Sequence, residues 1–441
     1  MRDLNGFAMT RNTILTQKPN NKIHWLAYAL AKYLTDDCEG AVNVIDIYLG
    51  TLSDSSPDKQ RGFESGELAL FRNRVLSEIP DNEQKALDHL EECRDVVVDE
   101  GSWLMTKATL YLKLGNFEEA KKTCISLFER GLTENYPVHN GYMCSLLEFD
   151  RQTCEKFMKL KGTDTVVTVK KLTSEEKEKL LQCYEKEIQP INSRSRAYKG
   201  IRLTLLEGDE LKAALDEHSR KDLTKGTPSL ATDMRSLLLT ENGEGSLSKA
   251  KDPADVRCHP TFIMLSELAD SYIESLTSKG TFPGKYEVEA PSTIVWAWYL
   301  RAYLYEFGGE YEKGLEAIQN CIEHTPTLVD LYERKGRLLK LGGDIQTAAN
   351  CLDTGRELDK QDRYINNKTT KYMLRAGRDN DARETISLFT AHEGNPERNL
   401  YDMQCTWYEL EIAGCHARKG QWGQSLKKFS KCHGSTFNVL L

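Results

Sequence analysis

The sequence predicts an all-α solenoid of stacked helical hairpins, and three observations carry that prediction. Glycine recurs every 34 residues at Gly309, Gly343 and Gly377. Small residues follow at the same spacing, Gly314, Ala348 and Ala382, and then Ile318, Leu352 and Ile386 complete the register. A repeat of that length holds two antiparallel helices whose apolar faces cannot be buried alone, so neighbours must stack and leave a long concave groove on one side. Such a groove suits another protein.

The period is that of the tetratricopeptide unit. With the first helical position counted as 1, Trp298 fills the large apolar position 4, Ala302 the small position 8 and Tyr305 the aromatic position 11. Gly309 then occupies the turn, Tyr311 position 17 and Gly314 the second helix crossing, and Pro326 closes the unit. Small residues at the crossings let two backbones approach, and glycine in the turn accepts a positive φ at little steric cost. Weaker copies lie upstream. Leu104, Ala108, Tyr111, Gly115, Phe117 and Ala120 outline one unit, Trp25, Ala29 and Ala41 another, and Leu70, Ala86 and Leu90 a degenerate one between them. Near the C-terminus Ala413, Gly420, Trp422 and Phe429 resume the pattern after a nine-residue slip in phase.

This periodicity divides the chain into irregular repeats over 1–239, polar linkers flanking one helix over 240–290, and regular repeats over 291–441 that are expected to stop short at the C-terminus. Residues 240–257 (TENGEGSLSKAKDPADVR) carry no helical periodicity and read as a polar linker. Helical spacing returns over 262–276 through Phe262, Leu265, Leu268, Ala269 and Tyr272, and a second polar connector is expected over 277–290.

Composition excludes several classes. Hydrophobic residues make up 39% of the chain and charged residues 29%, which is ordinary for a helical protein that meets water. No run of about 18 apolar residues could span a bilayer, and Met1, Arg2 and Asp3 open no secretory signal, so a cytoplasmic address is expected. The twelve cysteines are scattered without a C-x-x-C pair. Cys124 and Cys321 fall at packing positions, where a free thiol behaves as a small hydrophobe. Cys258–His259, Cys415–His416 and Cys432–His433 are adjacent pairs that point apart on a helix, and no metal site is expected from them.

Charge points to a candidate site. The chain carries −8 overall, yet residues 331–378 hold eleven Lys or Arg against six Asp or Glu. Positions 2, 5, 9 and 12 or 13 of each first helix line the concave face. In one unit these are Asp330, Glu333, Arg337 and Lys340, and in the next Tyr364, Asn367, Lys371 and Arg375. Arg337, Lys340, Lys371 and Arg375 are thus expected to converge unpaired, and unpaired cations side by side favour an anion between them. Tyr299 and Tyr303 are expected to border the patch. A solvated basic face is the plainer reading of the same residues. Recognition of a peptide carboxylate fits less well, because Glu333, Arg337 and Asn367 stand where such a clamp needs Lys and Asn.

No catalytic constellation is present in the sequence: no G-x-x-x-x-G-K-[ST] loop, no G-x-S-x-G elbow, no H-E-x-x-H motif, and no nucleic-acid-binding motif. Nor is there the [QR]-x-x-G-x-[GA] turn with which acetyltransferases cradle acetyl-CoA, since the nearest string, RAGR at 375–378, puts its glycine one residue early. The reading is of a non-enzyme with no catalytic cofactor.

Several strings then resemble one family in its own order. They are 2–11 (RDLNGFAMTR), 225–229 (KGTPS) with 235–237 (RSL), 325–328 (TPTL), 362–366 (DRYIN), 371–374 (KYML) and 403–408 (MQCTWY). The chain resembles the auxiliary scaffold subunits of the N-terminal acetyltransferase A (NatA) complex. That resemblance implies a helical-repeat subunit that wraps a catalytic N-terminal acetyltransferase subunit during co-translational acetylation and brings it to the ribosome. It also implies an inositol polyphosphate, such as inositol hexakisphosphate, as a structural ligand near Lys340, Lys368 and Lys371. Arg337 and Arg375 join them from groove geometry alone. Members of the family are longer at both ends, residues 428–441 (KFSKCHGSTFNVLL) drift from the pattern, and residues 150–219 match it weakly. A general tetratricopeptide adaptor unrelated to acetylation is the rival reading, and a short degenerate relative without any complex is a third.

Overall fold

The structure, a computed structural model, describes residues 3–52, 63–159, 169–241, 247–249, 252–390 and 394–438, with side-chain detail ending at residue 430. Two compact units account for it. One comprises Met1–Leu206 with Leu239–Ser248, and the other Glu207–Leu238 with Lys249–Leu441. The division follows packing and not the composition shift at 240.

The first unit runs through α1 (Leu4–Gln17), α2 (Lys22–Leu34), α3 (Cys38–Leu52), α4 (Phe63–Leu76), α5 (Glu83–Glu92), α6 (Glu100–Lys113), α7 (Phe117–Glu129), α8 (Tyr136–Leu147), α9 (Arg151–Met158), α10 (Ser174–Cys183), α11 (Gln189–Asn192) and α12 (Arg196–Leu205). The upstream repeats expected from sequence are hairpins here. Ala29 of α2 packs with Val44, Ile45 and Tyr48 of α3, and Ala108 and Ala120 sit fully buried where α6 crosses α7. Residues 150–205 follow no 34-residue rhythm and still share a large core with Tyr142 of α8, in which Phe157, Leu180, Tyr184, Ile188 and Ile201 are all buried.

Between α10 and α11 a π-helical turn, Tyr184–Ile188, breaks the period. Pro190 follows it and has no N–H for an ordinary helical bond, which favours such a local change of register. The Tyr184 ring stacks between His139, at 5.8 Å, and Tyr198, at 6.2 Å. His139 donates through Nε2 to the Thr133 carbonyl at 2.9 Å, which leaves Nδ1 to accept from the Tyr184 hydroxyl at 3.2 Å. Burial lowers the His139 pKa to about 4.

Of the linker expected over 240–257, residues 242–246 and 250–251 lie outside the described residues, and the rest carries secondary structure. Leu239–Glu241 and Leu247–Lys249 pair as a short two-stranded ribbon, β1 and β2. A one-turn helix then starts where Asp252 accepts from the Ala254 N–H and Pro253 takes a first-turn position, a start that needs no apolar periodicity.

The second unit contains α13 (Gly208–Lys225), α14 (Leu230–Met234), α15 (Pro253–Cys258) and α16 (Pro260–Lys279). The expected connector after α16 is only partly polar, because Phe282 is buried with its ring 5.3 Å from that of Tyr272. The repeats follow: α17 (Thr293–Phe307) with α18 (Tyr311–His324), α19 (Val329–Leu341) with α20 (Ile345–Leu358), α21 (Arg363–Arg375) with α22 (Asp379–Ser387), then the short α23 (Pro396–Asp402) and the pair α24 (Thr406–Arg418) and α25 (Trp422–Asn438). Gly309, Gly343, Gly377 and Gly420 all turn at φ between 72° and 98°, as the repeat requires. A Cβ on Gly314 would come within 2.9 Å of Leu338, so the small crossing residue is sterically required. The nine-residue slip is housed by α23, which buries Leu400 against the core of the α20–α24 repeats. Among the described residues no helix is long and apolar enough to cross a membrane.

Candidate functional site

In the second unit the first helices of successive repeats, α17, α19, α21 and α24, bring the charged residues together. Glu306, in the last turn of α17, is almost wholly buried and divides its two oxygens between two arginines of α19. Oε2 accepts from Arg334 at 2.6 Å and Oε1 from Arg337 Nε at 2.6 Å. The Arg334 guanidinium lies over the Tyr303 ring at 3.5 Å and near Tyr299 at 5.5 Å. Thr232 of α14 and Tyr303 share a hydroxyl hydrogen bond of 2.6 Å. Desolvation opposes the charge on Arg334, but Tyr299, Tyr303 and Glu306 outweigh it and its pKa is raised. Burial likewise opposes the Arg337 charge and is outweighed by Glu306.

On α21, Lys368 stands over the Tyr364 ring at 5.2 Å and 3.3 Å from Glu333 Oε1. The Tyr364 hydroxyl donates to the same Glu333 oxygen at 2.8 Å. Burial would lower the Lys368 pKa, yet Tyr364 and Glu333 raise it. Lys371 and Arg375 turn to Glu411 of α24. The Lys371 ammonium is 3.5 Å from Oε1, and Arg375 engages the carboxylate through Nε at 3.2 and 3.1 Å and through one terminal nitrogen at 2.6 Å. Burial works against the Glu411 charge, but Arg375 and Lys371 hold its pKa below the usual range.

Lys340 is different. Its ammonium stands 5.5 Å from the Tyr372 ring centroid, and no carboxylate pairs with it among the described residues. Burial first, then the charges of Arg375, Arg337 and Lys368, lower its pKa.

The charges of Arg337, Lys368 and Arg375 are thus felt at Lys340, whereas Lys371 belongs with Glu411. The expectation of unpaired cations is corrected: Arg337 pairs with Glu306 of α17, Lys371 and Arg375 with Glu411 of α24, and Lys368 with Glu333 of α19 itself, and the charge excess over 331–378 leaves the first two acids out of account. Tyr299 and Tyr303 do not form an open border either, since both are buried under Arg334. Sequence reasoning missed Arg334, Glu306 and Glu411. Glu306 occupies position 12 of its repeat, the position that selects Lys340 one repeat later, so the inner-face rule could have found it. Arg334, Lys368 and Glu411 all occupy position 6 of their repeats, which that rule left out.

Comparisons with known proteins agree with this architecture. A family model for the auxiliary subunit of N-terminal acetyltransferase A matches residues 63–439. The chain is 34% identical over 429 residues to the N-terminal acetyltransferase A complex auxiliary subunit NAA15 of Arabidopsis thaliana, covering 97% of this chain and 44% of that one. It is 30% identical over 435 residues to N-alpha-acetyltransferase 16, the NatA auxiliary subunit of Homo sapiens, covering 98% and 44%. It thus spans less than half the length of these relatives. A solved structure of Naa15/Naa10 bound to HypK-THB superposes with a TM-score of 0.76 at 25% identity, covering all of this chain and 58% of the matched one.

Proposed function

Because the chain belongs to the family of NatA auxiliary subunits, we propose that it is the non-catalytic scaffold of a NatA-type complex, holding a catalytic N-terminal acetyltransferase subunit for co-translational acetylation. The observation that carries this reading is likeness in both sequence and fold over nearly the whole chain, including to a structure titled for Naa15 with Naa10. A solenoid suits the role, since stacked hairpins offer an extended surface that a small globular partner can occupy without a preformed cleft. The ribosome is a further partner on this reading, and the cytoplasm, where nascent N-termini emerge, is its place of work.

The basic groove belongs to the same proposal. Lys340 is half-buried, feels the positive charges of three other cations and has no ion-pair partner among the described residues, and such a group gains from a polyanion brought into contact. Arg337, Lys340, Lys368, Lys371 and Arg375 are read as an inositol polyphosphate site, with inositol hexakisphosphate as a structural ligand and not a catalytic cofactor. Capture of a tagged chain from its own cells tests the scaffold role. Recovery of an acetyltransferase subunit is expected; recovery of chaperones alone would favour a general adaptor and overturn the proposal.

A further inference from the structure

The two carboxylates that flank the groove hold their arginines in different ways. Glu306 touches Arg337 through Nε alone, and among the described residues neither terminal nitrogen of Arg337 has a hydrogen-bond partner. Glu411 instead closes the fork of Arg375, engaging Nε and one terminal nitrogen together, and it also approaches Lys371. That fork is the edge a guanidinium offers to a phosphoryl group. Glu411 therefore already stands where one phosphoryl group of a ligand would sit, and its side chain is only 16% exposed, so water screens its charge weakly.

The charges set a threshold. Arg334, Arg337, Lys340, Lys368, Lys371 and Arg375 bring six positive charges, and Glu306, Glu333 and Glu411 return three negative ones. Glu306 and Glu411 each serve two cations and Lys340 has no carboxylate among the described residues, so the surplus of three is spread over the Arg334–Arg337 pair, Lys340 and the Lys371–Arg375 pair. A small anion binding at Lys340 leaves the Arg375 fork occupied. One binding at Arg375 must first expel a carboxylate of similar charge and gains little by the exchange. An anion bearing several phosphoryl groups can do both, taking Lys340 and the free nitrogens of Arg337 at one end and replacing Glu411 at the other.

We propose that Glu411 is the specificity-determining residue of this groove: a carboxylate gate that excludes singly phosphorylated ions and yields only to a polyphosphate able to reach Lys340 and Arg375 together. Glu306, which leaves the outer nitrogens of Arg337 available, acts as the positioning carboxylate. The inference rests on the anion reading of the groove and adds which ligands that groove admits.

Isothermal titration calorimetry on the full chain tests it with inorganic phosphate, tripolyphosphate and inositol hexakisphosphate at low ionic strength. The wild type is expected to bind the two polyphosphates and not inorganic phosphate. E411Q should bind tripolyphosphate roughly three- to tenfold tighter, the effect of removing one nearby like charge at a part-buried site, and should admit inorganic phosphate. E411D, which keeps the charge but draws it back from Arg375, should show a smaller gain and guards against a folding defect in the first variant. If the wild type binds polyphosphate while E411Q binds it equally or more weakly, Glu411 positions Arg375 and the gate is refuted. If the wild type binds no polyphosphate and K340E changes nothing, the anion reading fails and the gate with it.

Discussion

Glu306→Gln removes one charge and almost no volume, which makes it a sharp test of how the groove is held. Glu306 and Arg334 have side chains only 4% and 11% exposed. Breaking one side of so buried a pair strands a charge out of water and costs about 3–5 kcal/mol. Gln keeps one acceptor oxygen, and Arg334 keeps its stacking on Tyr303, so the lower end of that range applies. Arg337 is 43% exposed, and loss of its pair adds at most about 1 kcal/mol after solvent screening. A total near 3 kcal/mol should lower the melting temperature of the second unit by about 6–12 °C. Differential scanning calorimetry reads the shift directly. Replacing Arg334 by Met in the same chain removes the stranded charge, so E306Q with R334M should lose less than the two single changes summed. A melting temperature within about 1 °C of wild type for E306Q, or full additivity in the double variant, would refute the buried-pair account.

K340E with K371E reverses two charges in the groove and should abolish inositol hexakisphosphate binding, together with the rise in melting temperature that the ligand gives the wild type; equal calorimetric affinity in both proteins would reduce the cations to a solvated face. In the first unit, His139 is held neutral with a pKa lowered to about 4, so the unfolded chain takes up its proton first as pH falls. Its contribution to stability is therefore lost between pH ~6.5 and pH ~4, amounting to about 2 kcal/mol by pH 5. His89, also lowered to about 4 by burial, adds to the same trend. Thermal unfolding at pH 7.5 and pH 5 should show the drop, and His139→Gln should flatten it; an unchanged slope in that variant would contradict the assignment.

The repeat array was legible because its constraints are local. A turn at positive φ selects glycine, and a helix crossing within 3 Å of Leu338 selects Gly314, so the same residues recur wherever the same geometry does. The nine-residue slip was visible as a number, but its cause was not: α23 buries Leu400 and leaves no periodic mark of its own. Residues 150–205 were opaque for a related reason. The π-turn at Tyr184 shifts the register, and the core there depends on aromatic stacking among Tyr184, His139 and Tyr198, whose partners lie up to 45 positions apart in sequence. At the candidate site Arg337, Lys340, Lys371 and Arg375 could be named from position along a helix and Lys368 from the family resemblance alone, whereas their pairing could not be read. Glu411 reaches Arg375 from the repeat beyond the slip, and Arg334 is buried by Tyr303 from the repeat before. Position reports which face a residue occupies. Charge balance depends on the neighbours that stack against that face.

The scaffold reading is tested most directly by co-expressing the full chain with the catalytic N-terminal acetyltransferase subunit of the same source and measuring the mass of the product by size-exclusion chromatography with light scattering. A single species with the mass of a one-to-one complex is predicted, with acetylation of N-terminal peptides by that species and none by the chain alone. Two separate peaks at the masses of the individual proteins, or acetylation by the isolated chain, would contradict the account.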